Sequence, residues 1–231
     1  MEASDYSYLC FTGKKGLLGR YCRRENMTQE TEGAKGAGAG VDDNRACGYE
    51  ELKNRIEERR AVVGIIGLGY VGLPIARAFS REGFPVLGFD IDPDKVQKLK
   101  DGKSYLDHIP DSDIEAMCET GFDATAEYAR LGEADALLIC VPTPLDEHEE
   151  PDTKYIEITC QSISENMRKG QLIVLESTSY PGTTREVMLP ILEESGFVGG
   201  EDFFLGYSPE REDPGNENFS MEKIPKVVAG L

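Results

Sequence analysis

Gly67-Leu68-Gly69-Tyr70-Val71-Gly72 is a GxGxxG hexapeptide placed directly after the apolar run AVVGII (61–66) and directly before an amphipathic stretch. Between a strand and a helix this spacing suits a dinucleotide. The first glycine permits a tight turn, the second lets backbone approach a pyrophosphate, and the third lets the helix pack closely on the strand. The amides and dipole of the helix start then face the phosphates, a neutral nest that an acidic chain needs in order to hold an anion. A glycine-rich turn without a ligand is the plainer alternative. The next apolar run, PVLGFD, ends at Asp90. An acid ~20 residues past such glycines accepts hydrogen bonds from the adenosine ribose and repels a 2′-phosphate, which favours NAD over NADP as cofactor. Lys95 either flanks the adenosine side or is a solvated helix lysine. Asp92 reads as the N-cap of the helix opened by Pro93.

Three further loops follow apolar runs. Val141-Pro142-Thr143-Pro144-Leu145 is stiffened by two prolines that lack amide donors, which suits a ledge beside a ligand or simply a strand end. Glu176-Ser177-Thr178-Ser179 offers hydroxyls able to orient a water or a nicotinamide amide, while Thr183 and Thr184 compete as helix caps. In Tyr207-Ser208-Pro209-Glu210-Arg211, Glu210 is a candidate general base and Arg211 a candidate for an anionic substrate group, against the alternative of a solvated charged loop.

These loops need strands to carry them. Apolar runs at 61–66, 85–90, 135–141, 171–176, 202–208 and 226–231 alternate with helical stretches at 74–83, 93–102, 111–121, 153–168 and 182–195, with a short helix after FDATA. The pattern predicts an α/β fold: a Rossmann-type, doubly wound parallel sheet with helices on both faces and strand order 3-2-1-4-5-6, which collects the loops at the strands' carboxyl ends. The helix at 111–121 is expected to be opened by Asp or Ser. YEELKNRIEERR reads as a short charged helix within 47–60 that packs on the domain that follows. Residues 1–46, with GAKGAGAG, read as a largely disordered leader, with Met27 as an alternative start.

The chain of 231 residues has a formal charge of -18. Residues 1–60 carry equal numbers of acidic and basic side chains, so the whole excess falls on 61–231. Such a charge opposes nucleic-acid binding and recruitment to anionic lipid. No apolar run reaches the ~18 residues of a membrane span, and no signal peptide is legible, which predicts a cytoplasmic protein. Cys10, Cys22, Cys47, Cys118, Cys140 and Cys160 form no CxxC pair, and His108 and His148 lack a second ligand nearby, so no metal site is expected. Cys140 reads as a buried hydrophobe, and reduced thiols are expected throughout.

GLGYVGLP, GFDID, CVPTPL, ESTSYPGTT and YSPEREDPG, in this order and spacing, resemble the UDP-glucose/GDP-mannose dehydrogenase family, and most of all its UDP-N-acetylhexosamine branch. The resemblance covers 48–231. It implies a nucleotide-sugar 6-dehydrogenase that uses two NAD to take a C6 alcohol through an aldehyde to the uronate, for polysaccharide or glycan precursors. By that resemblance Gly67 to Gly72, Asp90 and Lys95 contact NAD, and Thr143 and Ser177 lie beside the cofactor. Thr178 positions a catalytic water, and Glu210 serves the catalytic and substrate site with Arg211 beside it. A second glutamate often follows four residues after the first; here Pro214 stands there. Family members also continue through a dimerising helical region into a second domain that supplies a nucleophilic Cys, and neither is present in this chain. The resemblance therefore implies a UDP-sugar as substrate partner, a homodimer for full-length members, and an N-terminal half that does not turn over alone. A stand-alone NAD-binding or sensing module is the alternative. A reductase or 2-hydroxy-acid dehydrogenase would need a catalytic His or Lys, and neither His108 nor His148 follows a strand.

Overall fold

The computed structural model describes residues 9–10, 43–145, 149, 151–209 and 227–230. In chain order these residues build strand β1 (Leu9–Cys10), helix α1 (Asp43–Glu57), β2 (Val63–Ile66), α2 (Gly72–Arg81), β3 (Val86–Phe89), α3 (Pro93–Lys100), α4 (Asp111–Glu119) and β4 (Phe122–Thr125). A 3-10 turn (Tyr128–Glu133), β5 (Ala136–Ile139), α5 (Lys154–Asn166) and β6 (Leu172–Leu175) follow. A π-helical segment (Thr183–Met188) then runs into α6 (Leu189–Glu193), before β7 (Phe204–Tyr207) and β8 (Val227–Gly230). The expected leader lies mostly outside the described residues. Where 43–46 is described it is helical, so α1 begins before Tyr49.

The strands form one sheet of order β1-β8-β7-β6-β5-β2-β3-β4. The pairs from β4 through β7 are parallel, and β8 is antiparallel to both β7 and β1. The doubly wound expectation is met over the parallel part. Two details differ from the sequence pattern. Phe122–Thr125, outside the expected strands, is the edge strand beside β3 and takes the third place in the 3-2-1-4-5-6 order, so that the 135–141 run lies beside β2 instead of at the edge. Its alternation of Phe122 and Ala124 with Asp123 marks a half-polar edge rather than a continuous apolar run. The closing run is antiparallel, so the sheet is mixed at that side.

Strands β2, β3 and β5 are buried along their whole length because helices cover both faces. Alternate residues feed two cores. Val63, Ile65, Val86 and Leu138 pack with Leu73 and Ile75 of α2, Leu99 of α3 and Ile114 of α4. Ile66, Phe89, Leu137 and Ile139 pack with Ile156 and Ile163 of α5 and Leu192 of α6.

Local chemistry sets the helix ends. Asp92 caps α3, accepting from the Asp94 and Lys95 amides at 2.9 and 3.4 Å, as its position before Pro93 predicts. Helix α4 departs from expectation: its N-cap is Pro110, without a side-chain cap bond. Asp111 instead turns back, accepting from the Ser104 amide at 2.8 Å and pairing with Lys103 at 3.1 Å. The π-helical turn before α6 has its cause in Pro190, which has no N–H to donate and whose ring crowds the carbonyl four residues earlier.

Candidate functional site

The parallel register places the site. Ile66 pairs with Phe89 and Ile139, Ile139 with Leu175, and Leu175 with Tyr207. One residue further on, Asp90, Gly67, Cys140, Glu176 and Ser208 therefore stand in a row along the carboxyl edge. Backbone bonds continue the ladder into this row, from Gly67 N–H to Phe89 at 2.8 Å, Cys140 N–H to Ile66 at 2.8 Å and Ser208 N–H to Leu175 at 2.9 Å.

Each glycine of the hexapeptide has its own physical requirement. Gly67 has φ +91°, and a Cβ there would meet the Cys140 carbonyl at 2.8 Å. At Gly72 a Cβ would stand 1.8 Å from the Gly67 oxygen, so helix α2 can start this close to β2 only with glycine. Gly69 differs: a Cβ would meet nothing within 4 Å, so its face is open to a ligand. Helix α2 has no acid in its first turn, which leaves its positive end uncompensated. Leu68 is fully buried, Val71 half-buried, and Tyr70 is 70% exposed, its ring stacked on His108 with centroids 6.1 Å apart.

Asp90 is buried at 6% exposure. Its Oδ2 accepts the Leu68 amide at 2.9 Å and its Oδ1 the Asp92 amide at 3.0 Å, while Lys95 Nζ lies 3.6 Å away. Lys95 also sits over the Tyr105 ring, 5.8 Å from its centroid. The Tyr105 hydroxyl donates to the Leu68 carbonyl. Burial, followed by the charges of Asp90 and Asp92, holds that phenol well above the usual tyrosine range. The sequence reading missed Tyr105, which lies in a connector between two helices with no motif around it. Ile91, 79% exposed beside Asp90, is a second unmarked residue at this edge.

After β5, Thr143 is half-buried between exposed Pro142 and Pro144. After β6, Glu176 and Ser177 are buried. The Ser177 hydroxyl donates to the Val141 carbonyl at 2.6 Å, so its proton ties two strand ends together. Thr178 is exposed. Thr183 is buried and donates to the Tyr180 carbonyl at 2.8 Å, and neither it nor Thr184 caps the helix, whose N-cap is Gly182 without a side-chain cap bond. Glu210, Arg211 and His148 lie outside the described residues.

Three thiols belong to described side chains. Burial, helped by Glu157, pushes the Cys160 thiol up to about 12. Burial, then Asp123, raises that of Cys118. Cys140 is buried at the strand end. Among the described residues no group of three His, Cys, Asp or Glu side chains could hold a metal, and no helix is long and apolar enough to cross a membrane. A cleft of about 330 Å³ opens at the opposite, amino edge of the sheet. Its basic side chains are paired with its aspartates: Asp135 with Arg55 at 2.8 Å and Arg168 at 2.5 Å, and Lys169 with Asp202 at 2.9 Å. The open glycine loop, the uncompensated helix start and the acid beside them make the carboxyl edge the candidate dinucleotide site instead.

Comparison with known proteins shows the family. Residues 61–231 match the model of the UDP-glucose/GDP-mannose dehydrogenase family, NAD binding domain. A UDP-N-acetyl-D-glucosamine 6-dehydrogenase of Pseudomonas aeruginosa is 38% identical, over 73% of this chain and 39% of that protein. A UDP-N-acetyl-D-mannosamine dehydrogenase of Escherichia coli is 36% identical, over 74% of this chain and 42% of that protein. Among solved structures, a UDP-D-ManNAc dehydrogenase from Pyrococcus horikoshii superposes with a TM-score of 0.63 at 34% identity, covering 67% of this chain and 37% of that one. The chain thus spans about two fifths of the length of the curated relatives it matches. Residue pattern, sheet order and glycine loop converge with these matches: the chain belongs to the UDP-glucose/GDP-mannose dehydrogenase family and carries its NAD-binding domain.

Proposed function

We propose that this chain is the NAD-binding portion of a nucleotide-sugar dehydrogenase that oxidises C6 of a UDP-N-acetylhexosamine to the uronate. The observation that carries the reading is the row at the carboxyl edge, with the Gly67–Gly72 loop open at Gly69 and buried Asp90 bonded to the loop's own Leu68 amide. The relatives' printed names supply the substrate class.

In this reading the amides of the loop and the start of α2 hold the pyrophosphate, and Asp90 accepts from the adenosine ribose hydroxyls with its remaining lone pairs. The ledge at Pro142–Leu145, with Thr143, borders the nicotinamide end, and Ser177 keeps the β5 and β6 ends in register there. Bound NAD supplies the acceptor for hydride. Thr178, exposed at the end of β6, orients a water, Glu210 takes the proton of the substrate alcohol, and Arg211 faces the substrate's anionic groups. In the same reading the full-length protein is a homodimer.

The chain alone binds NAD without completing the oxidation. The second oxidation needs a nucleophile to make the aldehyde carbon tetrahedral before hydride leaves, and the described thiols are buried or held protonated. The test is NADH formation with UDP-N-acetylglucosamine, UDP-N-acetylmannosamine and UDP-glucose, together with calorimetric titration of NAD. NAD binding without uronate formation is expected. Two NADH per sugar would overturn the incomplete-site reading, and absence of NAD binding would overturn the assignment altogether.

A further inference from the structure

Leu68 is held at every group it possesses. Its side chain is fully buried, over a glycine at position 88 where a Cβ would approach Leu68 Cδ1 to 2.8 Å. Its N–H donates to Asp90 at 2.9 Å, and its carbonyl accepts from Tyr105. Lys95 closes the ring of contacts, 3.6 Å from Asp90 and over the Tyr105 face. Tyr105 belongs to the connector between α3 and α4, which touches the glycine loop a second time where His108 stacks on Tyr70.

From this geometry we propose that Tyr105 is a positioning residue for the dinucleotide phosphates, acting through the peptide unit between Leu68 and Gly69. In a trans peptide the C=O and N–H point in opposite directions. Anchoring the Leu68 oxygen on the Tyr105 hydroxyl therefore aims the Gly69 N–H away from Tyr105. That N–H has no acceptor among the described residues, and it belongs to the one glycine of the motif whose surroundings are empty. Without the hydroxyl the buried Leu68 carbonyl loses its donor, and the unit gains a reason to rotate, since glycine imposes no side-chain barrier on one side of it. The connector thus acts as a second wall of the site, setting an amide that a phosphate oxygen needs.

The inference rests on NAD binding at this loop, and the experiment separates the two. Unlabelled ADP, adenosine and NAD are titrated into the parental chain and into Tyr105→Phe, with the Gly69 amide resonance followed in isotope-labelled parental protein. ADP and NAD, which carry the pyrophosphate, should bind the variant about 10- to 100-fold more weakly. Adenosine, which carries none, should bind both chains alike, a difference that general loosening of the fold would not produce. In the parental chain ADP should shift the Gly69 amide strongly and adenosine should not. Equal ADP affinity in both chains, an equal loss for adenosine, or a Gly69 amide indifferent to ADP would overturn the role of Tyr105 while leaving NAD binding intact. If Tyr105→Phe does not fold, a parental Gly69 amide indifferent to ADP still overturns the role. Failure of the parental chain to bind ADP or NAD would instead overturn the NAD reading itself.

Discussion

Before any ribose arrives, the two carboxylate oxygens of Asp90 already serve the Leu68 and Asp92 amides, with Lys95 alongside. Removing the side chain would therefore disturb the loop as well as the ribose contact, and Asp90→Asn is the cleaner probe because it keeps one acceptor oxygen. A charge-assisted hydrogen bond is worth about 1.5–3 kcal/mol, so NAD should bind Asp90→Asn about 10- to 150-fold more weakly. NADP should lose less, because the carboxylate that repels a 2′-phosphate is gone and Lys95 is released toward it. Parallel titration with both cofactors checks this, and an undiminished preference for NAD would show that selectivity resides elsewhere. A second residue-scale effect concerns Tyr128, whose phenol burial, then the charge of Asp90, pushes up to about 12. The unfolded chain ionises this tyrosine near the ordinary value of ~10 while the folded chain keeps its proton, so the unfolded state binds fewer protons in that interval. The stabilisation is complete below pH ~10 and declines as pH rises toward 12. Urea unfolding at pH 9 and 11 should show a drop in stability that is smaller in Tyr128→Phe.

At the scale of elements, the glycine loop separates folding from binding. Gly72→Ala forces a methyl against the Gly67 oxygen and should cost on the order of 3 kcal/mol by urea unfolding. Gly69→Ala meets empty space and should change stability by less than about 0.5 kcal/mol, yet weaken NAD by filling the surface the pyrophosphate approaches. Equal destabilisation by both would contradict the division. This loop was legible in the sequence because its requirements are local, three glycines between an apolar run and an amphipathic stretch. Asp92 as a cap and Asp90 at a strand end were legible for the same reason. Phe122–Thr125 was not, since an edge strand with a polar Asp123 lacks the continuous apolar signature of its neighbours. The π-helical turn was announced only by Pro190, and Tyr105 by nothing, because its partner Leu68 is distant in sequence and the contact exists only once the sheet has formed.

Across the whole molecule, the two edges of the sheet divide the labour. The amino edge is locked by charge and packing: Asp135, 3% exposed, accepts the Val62 amide at 2.8 Å and holds Arg55 of α1 and Arg168 before β6. Leu52 is buried and Tyr49 meets Phe204 edge-on at 6.0 Å, so α1 is part of the fold, as the expectation that it packs on the domain required. Asp135→Ala takes the acceptor from the Arg55 guanidinium and the Val62 amide and leaves Arg168 only its backbone carbonyls, and should cost on the order of 3 kcal/mol in urea unfolding. A loss below about 1 kcal/mol would mean that the cluster is solvated rather than structural. The carboxyl edge, by contrast, leaves amides open and gathers acids and hydroxyls around them. That contrast makes dinucleotide binding at the carboxyl edge the central claim, and isothermal titration of this chain with NAD and with NADP tests it most directly. One saturable NAD site, with NADP weaker by tenfold or more, is the result predicted; no heat of binding with NAD, or NADP binding as tightly as NAD, would contradict it.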